Sequence, residues 1–444
     1  MDFLTAGVLC IALLLALMAV GLQIGLSFIL SGFIICSLLL DFDSSISLLG
    51  QASYFSIATP TWASIPLFIL MGSFAASSGL AQRAYTAIYA MSTGIRGSLG
   101  IATCFSCAAF GAVSGSSLAT TAIFGKMALP EMNRLSYNKA FSAGCIASAG
   151  TFASMIPPSM MMIVYALFTQ QSVAKLFAAG VVPGILTAVG YVVIIQIVLK
   201  RHPDWAPMPD TIKQHKAELR TKRFKEATQI WPVIIIATVV LGGIYSGWFT
   251  PTEAAAAGAL ITLILGWSLG SFRNVSNVID AMKESANTTA MLFLINIGAL
   301  FFSRTLAITR LPVEITMMLN ELSMPPIVIL LGIMAIMLLL GMIMVPVGIY
   351  ALLLPIVFPL ITSLGYDPIW FGVIALKITE IGSITPPVGL NVFAMKGVIP
   401  KEMNISLEDI FKGVWPFLIC ELIVLTLLVV FPQLSLWLPN LLLG

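Results

Sequence analysis

Residues 150–159 read Gly150-Thr151-Phe152-Ala153-Ser154-Met155-Ile156-Pro157-Pro158-Ser159, and residues 380–387 read Glu380-Ile381-Gly382-Ser383-Ile384-Thr385-Pro386-Pro387. Each double proline stands inside a long apolar run. Two adjacent prolines remove two backbone donors and push the preceding residues out of α geometry, so a helix arriving there breaks and frees carbonyls of the turn before. Within a bilayer such groups are tolerated only where protein, water or an ion satisfies them. Carbonyl and hydroxyl oxygens at a break are a natural shell for a hard cation such as sodium, the alternative being a plain proline kink with no ligand.

The pattern is used twice. At a fixed offset of 229 residues Pro130 pairs with Pro359, Leu135 with Leu364, Tyr137 with Tyr366, Ser154 with Ser383, Pro157 with Pro386 and Pro158 with Pro387, while Gly111 pairs with Gly341 at 230. A run of identities at one offset marks a duplication, expected over 61–199 and 288–444. Each unit also carries a small-residue turn in an apolar run: Gly111-Ala112-Val113-Ser114-Gly115-Ser116-Ser117 and Gly341-Met342-Ile343-Met344-Val345-Pro346-Val347-Gly348. Gly and Pro permit a reversal part-way across a bilayer, and small residues also permit close helix packing. The extra hydroxyls of 114–117 favour the reversal.

Composition sets the compartment. Of 444 residues 59% are hydrophobic and only 9% charged, against roughly 25% charged in soluble domains. A spanning helix takes about 20 apolar residues, which allows on the order of a dozen crossings. The expected fold is an all-α polytopic membrane protein with duplicated, inverted repeats. The expected layout is N-terminal scaffold helices over 1–60; a first unit over 61–199 with a re-entrant hairpin at 105–130 and a broken helix at 140–168; and a basic loop over 200–230. Scaffold helices and a connecting arm follow over 231–287, then a second unit over 288–444 with a hairpin at 335–362 and a broken helix at 369–395. The loop holds eight basic residues, which places it on the cytoplasmic side, its second half a candidate helix on the membrane surface.

Several function classes are excluded. A net charge of +3 lacks the clustered basic face that nucleic acid requires. Both histidines, His202 and His215, lie in the polar loop, so neither a His metal site nor a hydrolase triad forms in the apolar body. Cys104 and Cys107 form a C-x-x-C without a second pair or a nearby His, and both sit in apolar sequence where Cys acts as a small hydrophobe. The Walker loop fails because Met127 follows Lys126 and Thr occupies 120, and Ala112 to Ser116 does not match G-x-S-x-G. No enzyme is expected.

Charges inside apolar runs are few and therefore informative. Arg304 suits an anionic substrate, because its planar fork gives a carboxylate or sulfonate two hydrogen bonds, or else it snorkels to the interface. Lys377 and Glu380, at i and i+3, are placed to neutralise each other.

At these residues the sequence resembles the large membrane subunit of tripartite ATP-independent periplasmic (TRAP) transporters. The matching stretches are 111–132, 154–186, 247–259 and 380–397, whose order and spacing cover most of the chain. The resemblance implies an elevator-type carrier in the bacterial inner membrane that takes up a small organic anion with sodium, two ions or more. It implies two protein partners, a small four-helix membrane subunit and a periplasmic substrate-binding protein. A stand-alone anion carrier is the alternative. Carried over, Ser114, Ser116, Ser117, Gly150, Thr151 and Pro157 would form one sodium region, and Gly341, Gly382, Ser383, Thr385 and Pro386 a second. Arg304, Ser159, Ser116 and Asn391 would face the substrate. Two departures stand out: Val345 replaces an acidic residue common at the second hairpin tip, and Ala166 follows Tyr165 where Gly is usual.

Overall fold

The structure, a computed structural model, describes residues 2–92, 95–206, 223–321 and 324–443. Among these residues every regular element is helical. Six helices are long and apolar enough to cross a membrane: Pro60–Ser77, Val173–Arg201, Lys225–Tyr245, Val275–Ile308, Pro346–Ser363 and Leu407–Val430. Lys139–Met155 followed by Met160–Thr169, bent by 44°, makes a seventh if taken as one span. These are fewer than the dozen crossings that the apolar length allows, because part of that length lies in shorter helices. Much of the apolar length lies in helices such as Ser98–Ser114 and Pro326–Gly341, which at 1.5 Å per residue reach about 25 Å, less than a hydrocarbon core of about 30 Å. The surface helix expected in the second half of the 200–230 loop falls at 207–222, outside the described residues.

The helices form two packed groups. In the outer group Ile24–Leu39 and Phe42–Ala58 lie on Val275–Ile308, and Ser64–Ser77 lies between Pro251–Ser268 and that same long helix. Thus the first helix of the unit expected at 61–199 packs with the outer group. In the inner group Lys139–Ala149 packs on Leu407–Val430, Pro326–Gly341 on Pro368–Ile384, and Val173–Arg201 on both Gln433–Leu443 and Leu407–Val430.

Helix starts follow local chemistry. Thr250 and Glu253 form a capping box ahead of Pro251–Ser268, with the Thr250 N–H donating to Glu253 Oε2 at 2.8 Å and Pro251 at the first position, where its missing N–H costs nothing. Ser406 and Asp409 do the same for Leu407–Val430. Glu253 is therefore an exposed cap, whereas Glu421 is buried.

The inner group depends on close backbone approach. A Cβ at Gly144 would stand 2.1 Å from the Gly413 carbonyl carbon, and one at Gly413 would stand 1.8 Å from the Ala140 oxygen. Only backbone to backbone packing fits there, the device by which membrane helices gain dispersion contact without a hydrophobic driving force. Gly413→Val is expected to destabilise by about 1–3 kcal/mol or more, the usual cost of overpacking. The check is a lowered unfolding temperature in detergent, with Gly332→Val, at a position where a Cβ meets nothing within 4 Å, staying close to wild type.

Candidate ion and substrate sites at the helix breaks

Four short elements converge on the two breaks. The first hairpin consists of Ser98–Ser114 and Ser117–Arg134, packed side by side. Gly115 closes the first of these helices with φ +63°, a left-handed conformation that Gly adopts without a Cβ clash, and its N–H donates to Gly111 O at 2.8 Å. Ser116 then caps the second helix, accepting from Ala119 N at 3.4 Å. The second hairpin, Pro326–Gly341 and Pro346–Ser363, turns at 342–345. Val345 stands at its N-cap with no side-chain cap bond, the position where an acidic residue would accept from freed N–H groups.

Each tip seats on the break of its own unit. The first break separates Lys139–Ala149 and Phe152–Met155 from Met160–Thr169, and the second separates Pro368–Ile384 from Leu390–Val398. Both Pro-Pro bonds are cis. A Cβ at Gly111 would lie 2.4 Å from Ala153 Cα, and one at Gly382 would lie 2.7 Å from Gly341 Cα. The second tip is also fastened by the Gly389 N–H donating to Met342 O at 3.1 Å.

In the first region the Ser114 and Thr120 hydroxyls are 3.0 Å apart, and the Thr151 hydroxyl donates to Ser148 O at 2.7 Å. The hydroxyls of Thr121 and Ser148 are buried without a hydrogen-bond partner. A Cβ at Gly150 would stand 1.8 Å from Thr121 Oγ1, so Gly150 leaves room for that oxygen at the break. Buried orphan oxygens call for a partner, and their hardness fits sodium. Pro157 lies in the break itself. Sequence reasoning missed Thr121, which stands one helical turn after Ser117 on the same face; that spacing was available to be used.

The residues expected to form the second region, Gly341, Gly382, Ser383, Thr385 and Pro386, lie at the second tip and break. Ser383 donates to Glu380 O at 2.7 Å and Thr385 to Ile381 O at 2.6 Å.

Arg304 and Ser116, two of the four residues assigned to substrate, line different cavities. Arg304 is half-buried and lines a cavity of about 800 Å³ together with Thr59, Trp62, Gln170, Gln171 and Asn296. Ser116 lines a separate cavity of about 90 Å³ with Ser114, Ser73, Glu284 and Thr288. Ser159 is fully buried and caps Met160–Thr169 by accepting from Met162 N at 3.3 Å. Asn391 is fully buried too, and both polar atoms of its amide lack a partner.

The charges behave differently from the sequence reading. Lys377 does not neutralise Glu380: its ammonium pairs with Glu421 from Leu407–Val430 and donates to Thr187 Oγ1 at 2.8 Å. Tyr191 OH donates to Glu421 Oε1 at 2.8 Å, and the Thr151 hydroxyl lies 3.5 Å from the same oxygen. Lys377 and Glu421 are 3% and 2% exposed, so the pair is held by these hydrogen bonds rather than by solvent. Thr187 and Tyr191 come from a helix some 190 and 230 residues away in sequence from their partners, and no spacing signal announces them. Cys104 and Cys107 are buried free thiols, with Cys104 Sγ 3.9 Å from Cys145 Sγ, and no cluster of metal-ligating side chains occurs among the described residues.

The family described as "Tripartite ATP-independent periplasmic transporter, DctM component" matches residues 11–434. The chain belongs to this family. It is 38% identical over 382 residues to the C4-dicarboxylate TRAP transporter large permease protein of Pseudomonas aeruginosa, covering 86% of each chain. It is 31% identical over 430 residues to the sialic acid TRAP transporter large permease protein of Vibrio cholerae, covering 97% of each. The YdaH transporter of Alcanivorax borkumensis, whose crystal structure has an unusual topology, shares the fold at TM-score 0.65 and 16% identity over 90% of both chains. As a large permease of the TRAP family the chain is a multi-pass membrane transporter component, and these relatives are named as permeases and transporters, not enzymes.

The Lys377–Glu421 pair makes a prediction. Lys377→Met leaves Glu421 buried and uncompensated, and is expected to destabilise by about 3–5 kcal/mol, whereas the double variant Lys377→Met/Glu421→Leu recovers most of that loss. Unfolding temperatures of the two singles and the double in detergent decide it, a double no better than the singles refuting the assignment.

Proposed function

We propose that this TRAP large permease imports a small organic anion, a carboxylate or sulfonate, into bacterial cells across the inner membrane, driven by sodium. The observation that carries the reading is the Arg304 cavity. It lies on a seam between the two helix groups, lined by Asn296 and Arg304 of Val275–Ile308, by Thr59 and Trp62 between Phe42–Ala58 and Ser64–Ser77, and by Gln170 and Gln171 just ahead of Val173–Arg201. No carboxylate pairs with Arg304 among the described residues, so its fork is open to an anion. The cavity reaches Ser172 and Val173, at the opposite end of the Val173–Arg201 helix from the basic loop. With that loop cytoplasmic, the cavity stands on the periplasmic side, where a soluble binding protein would deliver substrate.

A seam cavity and tips that each seat on their own break suit an elevator, in which the inner group slides against the outer as one body. The small four-helix subunit would then brace the outer group, whose exposed apolar residues include Leu30 and Ile264. The named relatives handle a C4-dicarboxylate and sialic acid, which supports the carboxylate class without choosing a member.

Energetics set a minimum stoichiometry. Moving one elementary charge through about 100 mV is worth roughly 2.3 kcal/mol, so a monoanion entering a negative interior costs about that much. One sodium cancels the charge and a second supplies the drive, which matches the two oxygen-lined regions.

Proteoliposomes holding this chain with its small subunit, supplied with the binding protein, are expected to take up radiolabelled anion only under an inward sodium gradient, and faster with a negative interior. Indifference to both sodium and potential refutes the coupling, and equal uptake without binding protein identifies a stand-alone carrier. In the same assay Arg304→Lys is expected to lower the uptake rate about tenfold, since one charge-assisted hydrogen bond of roughly 1.5 kcal/mol is lost. A rate within twofold of wild type removes Arg304 from the substrate path.

A further inference from the structure

Among the described residues Glu380 is the one buried charge the site so far leaves unused. It is 3% exposed, and with Lys377 committed to Glu421 it has no cationic side chain within 4 Å among the described residues. A buried carboxylate in that position is costly unless something positive joins it. What surrounds it is hydroxyl. Ser117, in the first hairpin, donates to Glu380 Oε1 at 3.3 Å, and Ser383, in the second break, lies 3.5 Å from Oε2. The Ser154 hydroxyl, in the first break, is buried without a hydrogen-bond partner. One carboxylate therefore touches oxygens of both proposed sodium regions with its two different atoms.

The duplication sharpens this. At the offset of 229, Glu380 corresponds to Thr151 and Lys377 to Ser148. The first unit thus has no carboxylate of its own at its break, and its hydroxyls are served by the acid of the second unit. Tyr350, whose buried hydroxyl has no geometric partner, and Tyr191 with Glu421 are the other ionisable groups nearby. Lys377, one turn earlier on the same helix, is the positive charge nearest in sequence and also acts on the carboxylate, but its ammonium is paired with Glu421.

We infer that Glu380 is the shared negative charge of the two cation regions, so that sodium entering one region tightens sodium binding in the other. The carboxylate already faces Ser117 through one oxygen and Ser383 through the other, so a cation that fixes it in the first region also holds its second oxygen in place for the second region. Linkage makes the effect reciprocal, and coupling between linked sites is typically about 5–150-fold. The inference rests on the sodium reading above and goes beyond it in naming one residue as the coupling element.

The test uses purified full-length protein and reads sodium-dependent thermal stabilisation, with choline replacing sodium at constant ionic strength. Wild type is expected to give a Hill coefficient near 2. Glu380→Gln is expected to bring the coefficient to about 1 and raise the midpoint roughly tenfold or more, and Glu380→Asp, which keeps the charge but shortens its reach to Ser117, to raise the midpoint severalfold. A coefficient and midpoint unchanged in whichever variant folds overturns the inference while leaving sodium coupling intact. Wild type that shows no sodium-dependent stabilisation removes the sodium reading itself, and the coupling role with it.

Discussion

A helix that stops inside a hydrocarbon layer leaves carbonyl and amide groups that no lipid can satisfy. Two such stops, at Pro157-Pro158 and Pro386-Pro387, organise the rest of this chain. Each is covered by a hairpin that also stops half-way, so that two incomplete elements complete one another: Gly115 lies against residues 158–160, and the Gly389 amide bonds to Met342. Because the covering must be close, Gly111 faces Ala153 and Gly341 faces Gly382 with no side chain between. The breaks are thereby buried and lined with oxygen, conditions under which a weakly held monovalent ion would gain most from a fixed shell.

The network behind the breaks is asymmetric although the backbone is duplicated. Lys377, Glu421, Tyr191 and Thr187 tie the second broken helix to two long helices, while Thr151 brings the first break to the same carboxylate. A sliding inner group of the kind proposed has to move as a unit, and a buried ion pair spanning its elements resists their separation far more than it adds net stability. The tie therefore suits a body that moves rigidly, with substrate handled at its edge on the Arg304 seam.

Much of the fold was legible because its signals are local. Double prolines, the Gly-Ser turn at 114–117 and a repeat offset are read directly along the chain, and each maps to a break or tip in space. Val345 could likewise be singled out, and it stands uncapped at the second tip. Span number was less legible, since hydropathy measures apolar length and not whether that length is spent on one crossing or on two half-crossings. The candidate site was legible in its oxygens and illegible in its charges. Lys377 and Glu380 sit one turn apart, and the short-range rule pairs them, yet a carboxylate from residue 421 reaches the ammonium.

By itself, then, the sequence determined that this is a duplicated, helical membrane protein with hydroxyl-rich breaks, because proline geometry and hydropathy act over a few residues. Tertiary structure alone decided which groups meet: Ser117 with Glu380, Glu421 with Lys377, and Arg304 with Trp62 and Gln170 around one cavity. The physical reason is that buried charges choose partners by distance and desolvation in three dimensions, and helices hundreds of residues apart in the chain can lie side by side in the membrane.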